Sequence, residues 1–205
     1  MALRILGRVT SINVRKVLWA LGELGLAYTR EDWGKPLRDP HVPEFLALNP
    51  NAQVPVIIDD GFVLWESNAI LRYLAETHRA LLPPDPRGRA IVDQWLYWQI
   101  GELNPAWVYA VNALMRRNPA YGDLARTTES VTQWTAKMAI LEDRLARSSH
   151  VAGADFTIAD IAIGLSSHRW FSTPMERPSF PAIADHYRRM QARPAGAPWL
   201  TRDTP

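Results

Sequence analysis

Residues 51–67, NAQVPVIIDDGFVLWES, hold two short apolar runs around an acidic turn. Val56 to Asp59 and Phe62 to Trp65 gather β-branched and aromatic residues on either side of Asp60-Gly61, which predicts a β-hairpin. A tight hairpin turn needs positive φ at its centre, where glycine carries no steric cost. Pro55 stands at the mouth of the first strand. It has no N–H to give to a ladder, so it belongs at a strand's first residue or on an edge, and X-Pro is where a cis bond is cheap. Two readings stay open: an ordinary edge-strand proline, or a cis-Pro that turns the Val54 backbone N–H and C=O outward to pair with a bound peptide. Behind the hairpin, Glu66-Ser67-Asn68 opens a helical pattern of Ala69, Ile70, Leu71, Tyr73 and Leu74. Ser67 is the candidate N-cap, with free backbone N–H groups that suit an anion.

Upstream, residues 3–6 read as a strand and residues 13–24 as a helix, with Val14, Val17, Leu18, Leu21 and Leu24 at helical spacing and Gly25 as its stop. A second strand is predicted at 28–32. A proline-rich turn segment runs from Trp33 to Pro43, and a short helix covers 44–48 before Asn49-Pro50. With the hairpin and the helix 67–77 this gives β-α-β-α-β-β-α, the order of a thioredoxin-like layer with helices on both faces of a mixed sheet. Residues 78–87, with Pro83, Pro84 and Pro86, lack periodicity and read as a linker. Everything after is helical: a long run from Arg89 to about Met115, kinked at Asn104-Pro105, then 123–145, a capping signature Thr157-Ile158-Ala159-Asp160 with a Phe156/Ile161 staple, and 181–192. The expectation is an α/β thioredoxin-like N-terminal domain, residues 1–78, and an all-α C-terminal domain, residues 88–205.

Composition narrows the function. The 205 residues are 47% hydrophobic with nine tryptophans, enough for two packed cores and for aromatic pocket walls. A net charge of +2 without a block of like charges argues against a nucleic-acid reader. No cysteine is present, so any thiol chemistry must come from a ligand. The N-terminal MALRILGRVT carries an early charge and no long apolar core, and no run reaches membrane-spanning length. A cytoplasmic protein with no membrane association is expected.

Val54-Pro55, a hairpin and Glu66-Ser67 opening a helix resemble the glutathione site of the cytosolic glutathione transferase family, here of a bacterial, theta-like, serine-containing type. The resemblance implies that Val54, before a cis-Pro55, pairs with the cysteinyl backbone of glutathione. It implies that Glu66 meets the γ-glutamyl ammonium while Ser67 and its helix hold the neighbouring carboxylate. Gln53 and His41 reach the glycyl end, Gln53 standing where a lysine is often found. His41 has an equal alternative as an exposed loop residue. The Thr157–Asp160 box is structural. The helical half carries the second-substrate pocket, with Trp107 and Trp170 chosen as walls from Trp95, Trp98, Trp107, Tyr109, Trp170 and Phe171. A homodimer is implied, with Arg72, Tyr73 and Arg89 where two copies meet.

A glutathione transferase must keep a thiol ionised near neutral pH. A free thiol titrates near 8.5, so about 3% is thiolate at pH 7, and lowering its pKa by about two units needs roughly 2.7 kcal/mol of differential stabilisation. A hydroxyl donor and the positive end of a helix can supply this. Residues 7–13, GRVTSIN, are the place for both. Ser11 is the chosen donor, Thr10 and Asn13 its alternatives. Ser11 or Thr10 also reads as a plain helix cap. A Ser11-x-Asn13 arrangement would favour Asn13 as donor and reduction of a disulfide or peroxide over conjugation. Arg15, one turn on, adds positive potential to the sulfur or is simply solvated. No metal is implied; glutathione is co-substrate, and the second substrate is a small hydrophobic electrophile that detoxification consumes. A non-catalytic protein-binding module of the same fold is a third reading, against which the intact Glu66-Ser67 pair speaks.

Overall fold

The computed structural model describes residues 3–200. The described residues divide into two compact units, residues 3–81 with 194–200, and residues 82–193. Residues 194–200 group with the first unit. Ala195 Cβ lies 3.2 Å from where a side chain on Gly22 would begin, and Arg15 Nη1 donates to Trp199 O at 3.0 Å. Residues 1–2 and 201–205 of the expected domains lie outside the described residues.

In the first unit, β1 (Leu3–Leu6), β2 (Tyr28–Glu31), β3 (Val56–Asp59) and β4 (Phe62–Trp65) form one sheet in the order β2-β1-β3-β4. β1 runs parallel to β2 and antiparallel to β3, and β3 is antiparallel to β4. The parallel pair needs a crossover, and α1 (Ile12–Leu24) supplies it. Ser11 caps α1 and Gly25 ends it in the left-handed region at φ 64°. The hairpin turns through Asp60 and Gly61, both at positive φ. Leu6 and Val56, paired in register, join Trp33 and Phe45 in a core under α2 (Pro43–Leu46). Ile5 and Ile57, the next pair, turn to the opposite face, along which α1 and α3 (Ser67–Thr77) pack together. The thioredoxin-like expectation is met.

The second unit is all helical. Asp85 caps α4 (Pro86–Trp98), its Oδ1 accepting from the Gly88 N–H at 2.9 Å. The helical run then continues through a π turn, Gln99–Leu103, into α5 (Asn104–Ala110) and a second π turn, Val111–Met115. The kink expected at Pro105 takes the form of that first π turn. Pro105 cannot donate, and widening the turn before it lets the Asn104 N–H bond back to Gln99 O. The remaining helices are α6 (Leu124–Leu145), α7 (Ile158–Ser172) and α8 (Pro181–Gln191). α7 is buried on nearly every side, and Asp160 at its start is completely enclosed. Asp160 closes the capping box with Thr157 and also accepts from Val151 N at 2.9 Å and from His186 Nε2 at 3.0 Å. Among the described residues no helix is long and apolar enough to cross a membrane.

Candidate functional site

A cleft of about 210 Å³ opens in the first unit between the entry to β3 and the start of α3. Asn13, Gln53, Val54, Pro55, Glu66 and Ser67 all border it, and Asn49, Asn51 and Trp65 complete its lining. Three separate segments meet here because the backbone approach is close. At Gly7 a Cβ would stand 2.4 Å from Val14 Cγ2 and 3.4 Å from Val54 Cβ, so only glycine lets β1 run out beside both.

The Val54–Pro55 peptide bond is cis. Among the described residues Val54 makes no backbone hydrogen bond to the rest of the chain, and it borders the cleft. The turn before it is held by Asn49, which is 2% exposed. Asn49 Nδ2 donates to Gln53 O at 2.8 Å, and Asn49 Oδ1 accepts from the Asn51 N–H at 3.0 Å. The sequence marks Asn49-Pro50-Asn51 only as a turn; its work in fixing the cleft wall depends on burial.

At the other wall Glu66, not Ser67, is the N-cap of α3. Glu66 takes φ 73°, and from there its Oε2 reaches back to accept from the Asn68 N–H at 2.9 Å and the Ala69 N–H at 3.0 Å. This leaves the Ser67 amide as the first-turn donor that Glu66 does not take up. Ser67 is buried, with its Oγ 3.4 Å from Glu66 Oε1 and accepting from Lys16 Nζ at 3.3 Å. Lys16 had no sequence signal, since a lysine in an amphipathic helix is ordinarily solvated.

The other candidates fall elsewhere. Ser11 is half-buried at the α1 N-terminus, its Oγ accepting from the Val14 N–H at 3.4 Å, and it is not among the residues that line the cleft. Thr10 is exposed and accepts from Arg8 Nη1 at 3.0 Å. Arg15 is not solvated: it is 1% exposed. His41 is exposed, its Nδ1 lies 2.7 Å from Asp39 Oδ1, and it is not among the residues that line the cleft. In the second unit Trp170 is fully buried, its ring 4.9 Å from that of Trp134, and Trp107 is buried beside Trp134 under the Arg169 guanidinium. Neither borders the cavity of about 390 Å³ between α5 and α6 lined by Pro105, Tyr109, Arg126 and Ser130. Within this unit both rings lie in the interior, where indoles at helical spacing fill the space between α5, α6 and α7. Tyr73 and Arg72 lie on α3, where Tyr73 OH donates to Asp59 Oδ2 at 2.8 Å and Arg72 pairs with Glu76 at 3.1 Å. Arg89 donates to Pro83 O at 3.0 Å.

A thioredoxin-like unit with a polar cleft beside the proline preceding β3, followed by an all-helical unit, defines the class. Residues 10–77 match the family model of the glutathione S-transferase N-terminal domain. The chain is 35% identical to glutathione S-transferase GstB of Escherichia coli over 193 residues, 92% of this chain and 93% of that one. It is 33% identical over 166 residues to the disulfide-bond oxidoreductase YfcG of the same species, 75% of this chain and 74% of that one. A theta class glutathione S-transferase from Xanthomonas axonopodis pv. citri, solved with glutathione bound, superposes with a TM-score of 0.93 at 37% identity, covering 98% of this chain and 97% of that one. The chain belongs to the glutathione S-transferase family and is an enzyme of that family.

Proposed function

We propose that the cleft holds glutathione along the Val54 backbone and that residues 7–13, the loop after β1 and the first turn of α1, keep its sulfur ionised for attack on a small apolar electrophile. The observation that carries this reading is that Val54, whose main chain makes no hydrogen bond among the described residues, and the first turn of α3 border one cleft. A peptide laid there gains two backbone hydrogen bonds, as an added strand does. Glu66 Oε1 meets the ligand ammonium while the Ser67 amide and hydroxyl take its carboxylate. At the sulfur, Ser11 and Asn13 are the two donors. The cap bond of Ser11 uses a lone pair and not its proton, so its hydroxyl retains a hydrogen for a thiolate. In conjugation the thiolate forms the C–S bond and a leaving group such as chloride departs with its electron pair. Pairing of two copies is part of the same reading, with half-exposed Phe62 (49%) on β4 as apolar surface available to it. His41 is proposed as a glycyl-end contact only through movement of its loop.

A second reaction, attack of the same thiolate on a mixed disulfide, is favoured by one observation: Asn13 lines the cleft and Ser11 does not. The test is retention on immobilised glutathione together with two turnover assays, a chlorinated nitroaromatic and a mixed disulfide, in wild type, Ser11→Ala, Asn13→Ala and Glu66→Ala. Glu66→Ala is expected to lose retention. A drop of about 100-fold in conjugation for Ser11→Ala assigns Ser11 as donor, and the same drop in disulfide reduction for Asn13→Ala assigns the second reaction. Full turnover in both assays for both variants sinks the thiolate assignment.

A further inference from the structure

Lys16 sits in α1 with its side chain fully buried, 0% exposed. An ammonium withdrawn from water costs several kcal/mol unless acceptors replace its hydration. Two such acceptors are Ser67 Oγ at 3.3 Å and Asn68 Oδ1 at 3.0 Å, both in the first turn of α3, the turn that borders the cleft. An ammonium has three hydrogens and no lone pair, so at this contact Ser67 can only accept. The single proton of the serine hydroxyl must then point away from Lys16, and its other neighbour among the described residues is Glu66 Oε1 at 3.4 Å, beside the cleft. That distance is long for O–H···O, which leaves the proton easily redirected to a better acceptor.

We infer that Lys16 is a positioning residue for the anion end of the cleft. It fixes the Ser67 hydroxyl as a donor and sets a positive charge behind the α3 N-terminus, so that the α-carboxylate of a γ-glutamyl group is held there. The inference rests on the glutathione reading and deepens it, assigning carboxylate selectivity to a side chain that does not line the cleft.

The test is calorimetric titration of the full chain with two ligands. One is glutathione; the other is 4-aminobutyryl-cysteinyl-glycine, which keeps the terminal ammonium and lacks only the α-carboxylate. Lys16→Met is expected to bind glutathione about tenfold more weakly and the analogue as wild type does. In a Ser67→Ala background Lys16→Met adds much less, since part of its effect passes through that hydroxyl. A purely structural lysine would weaken both ligands alike. Equal losses, or undiminished glutathione affinity, overturn the role given to Lys16 and leave the glutathione reading standing. A wild-type chain that binds no glutathione removes that reading and the inference together. Circular dichroism checks folding, and if Lys16→Met is unfolded, Lys16→Gln is judged by the same ratio of the two affinities.

Discussion

His41 supports Asp39 twice, through its ring Nδ1 at 2.7 Å and through its backbone N–H at 3.0 Å. The ring contact first and the backbone bond second hold the Asp39 carboxyl down at about 2, from an ordinary 3.8. A carboxylate whose folded pKa is depressed stabilises the fold above its unfolded pKa and loses that contribution as pH falls through the folded one. The window for Asp39 is therefore from 3.8 down to about 2. In His41→Ala the ring contact is lost while the N–H of residue 41 still donates, so the Asp39 carboxyl is expected to rise from about 2 without reaching 3.8, followed by carboxyl carbon NMR; a value still near 2 would assign the shift to that N–H and to Lys35, 3.4 Å away. Neither residue borders the cleft, so this variant also asks whether the loop takes part in binding. Ser11 and Asn13 show the same divide between residue type and position. Both are capping-type residues, Ser11 at the cap of α1 and Asn13 in its first turn, and which of them borders the cleft follows from the turn of α1 relative to Val54.

Among the helices, α3 stands out for the backbone of its cap. Glu66 at φ 73° adopts a conformation that side chains disfavour, and its carboxylate offsets this by capping two amides. Glu66→Ala keeps the strained backbone and loses the cap, and is expected to cost about 1–2 kcal/mol in urea unfolding. Glu66→Gly loses the same carboxylate but accepts positive φ freely, so it is expected to be about 1 kcal/mol more stable than the alanine variant. Both should fail to bind glutathione. An alanine variant as stable as the glycine one would mean that the backbone relaxes once the carboxylate is gone. The hairpin, by contrast, needs no such compensation: Asp60 and Gly61 are residue types suited to the positive φ they adopt.

The molecule as a whole departs from a simple front half and back half. Residues 194–200 return to the first unit, with Leu200 3% exposed and Trp199 O accepting from buried Arg15. A chain ending at Arg193 leaves that guanidinium without this acceptor and uncovers apolar surface on α1. Its unfolding midpoint by calorimetry is expected to fall by about 5 °C or more. An unchanged midpoint would show that the segment rests on α1 without supporting it.

Local chemistry alone carried the hairpin 56–59/62–65, the helix 67–77 and the order of elements that names the thioredoxin-like layer. Clustered β-branched and aromatic residues, a turn pair at Asp60-Gly61 and apolar positions at helical spacing each act over a few neighbours, so they are visible in the string of residues. The depth of Lys16, Arg15 and Asn49 is not visible there, nor is the exchange of Ser67 for Glu66 as cap. Lys16 meets Ser67 across 51 positions and Arg15 meets Trp199 across 184. A side chain's charge or polarity is written in its type. Whether it is bathed in water or enclosed against a partner depends on which distant segments the packed sheet and helices bring beside it.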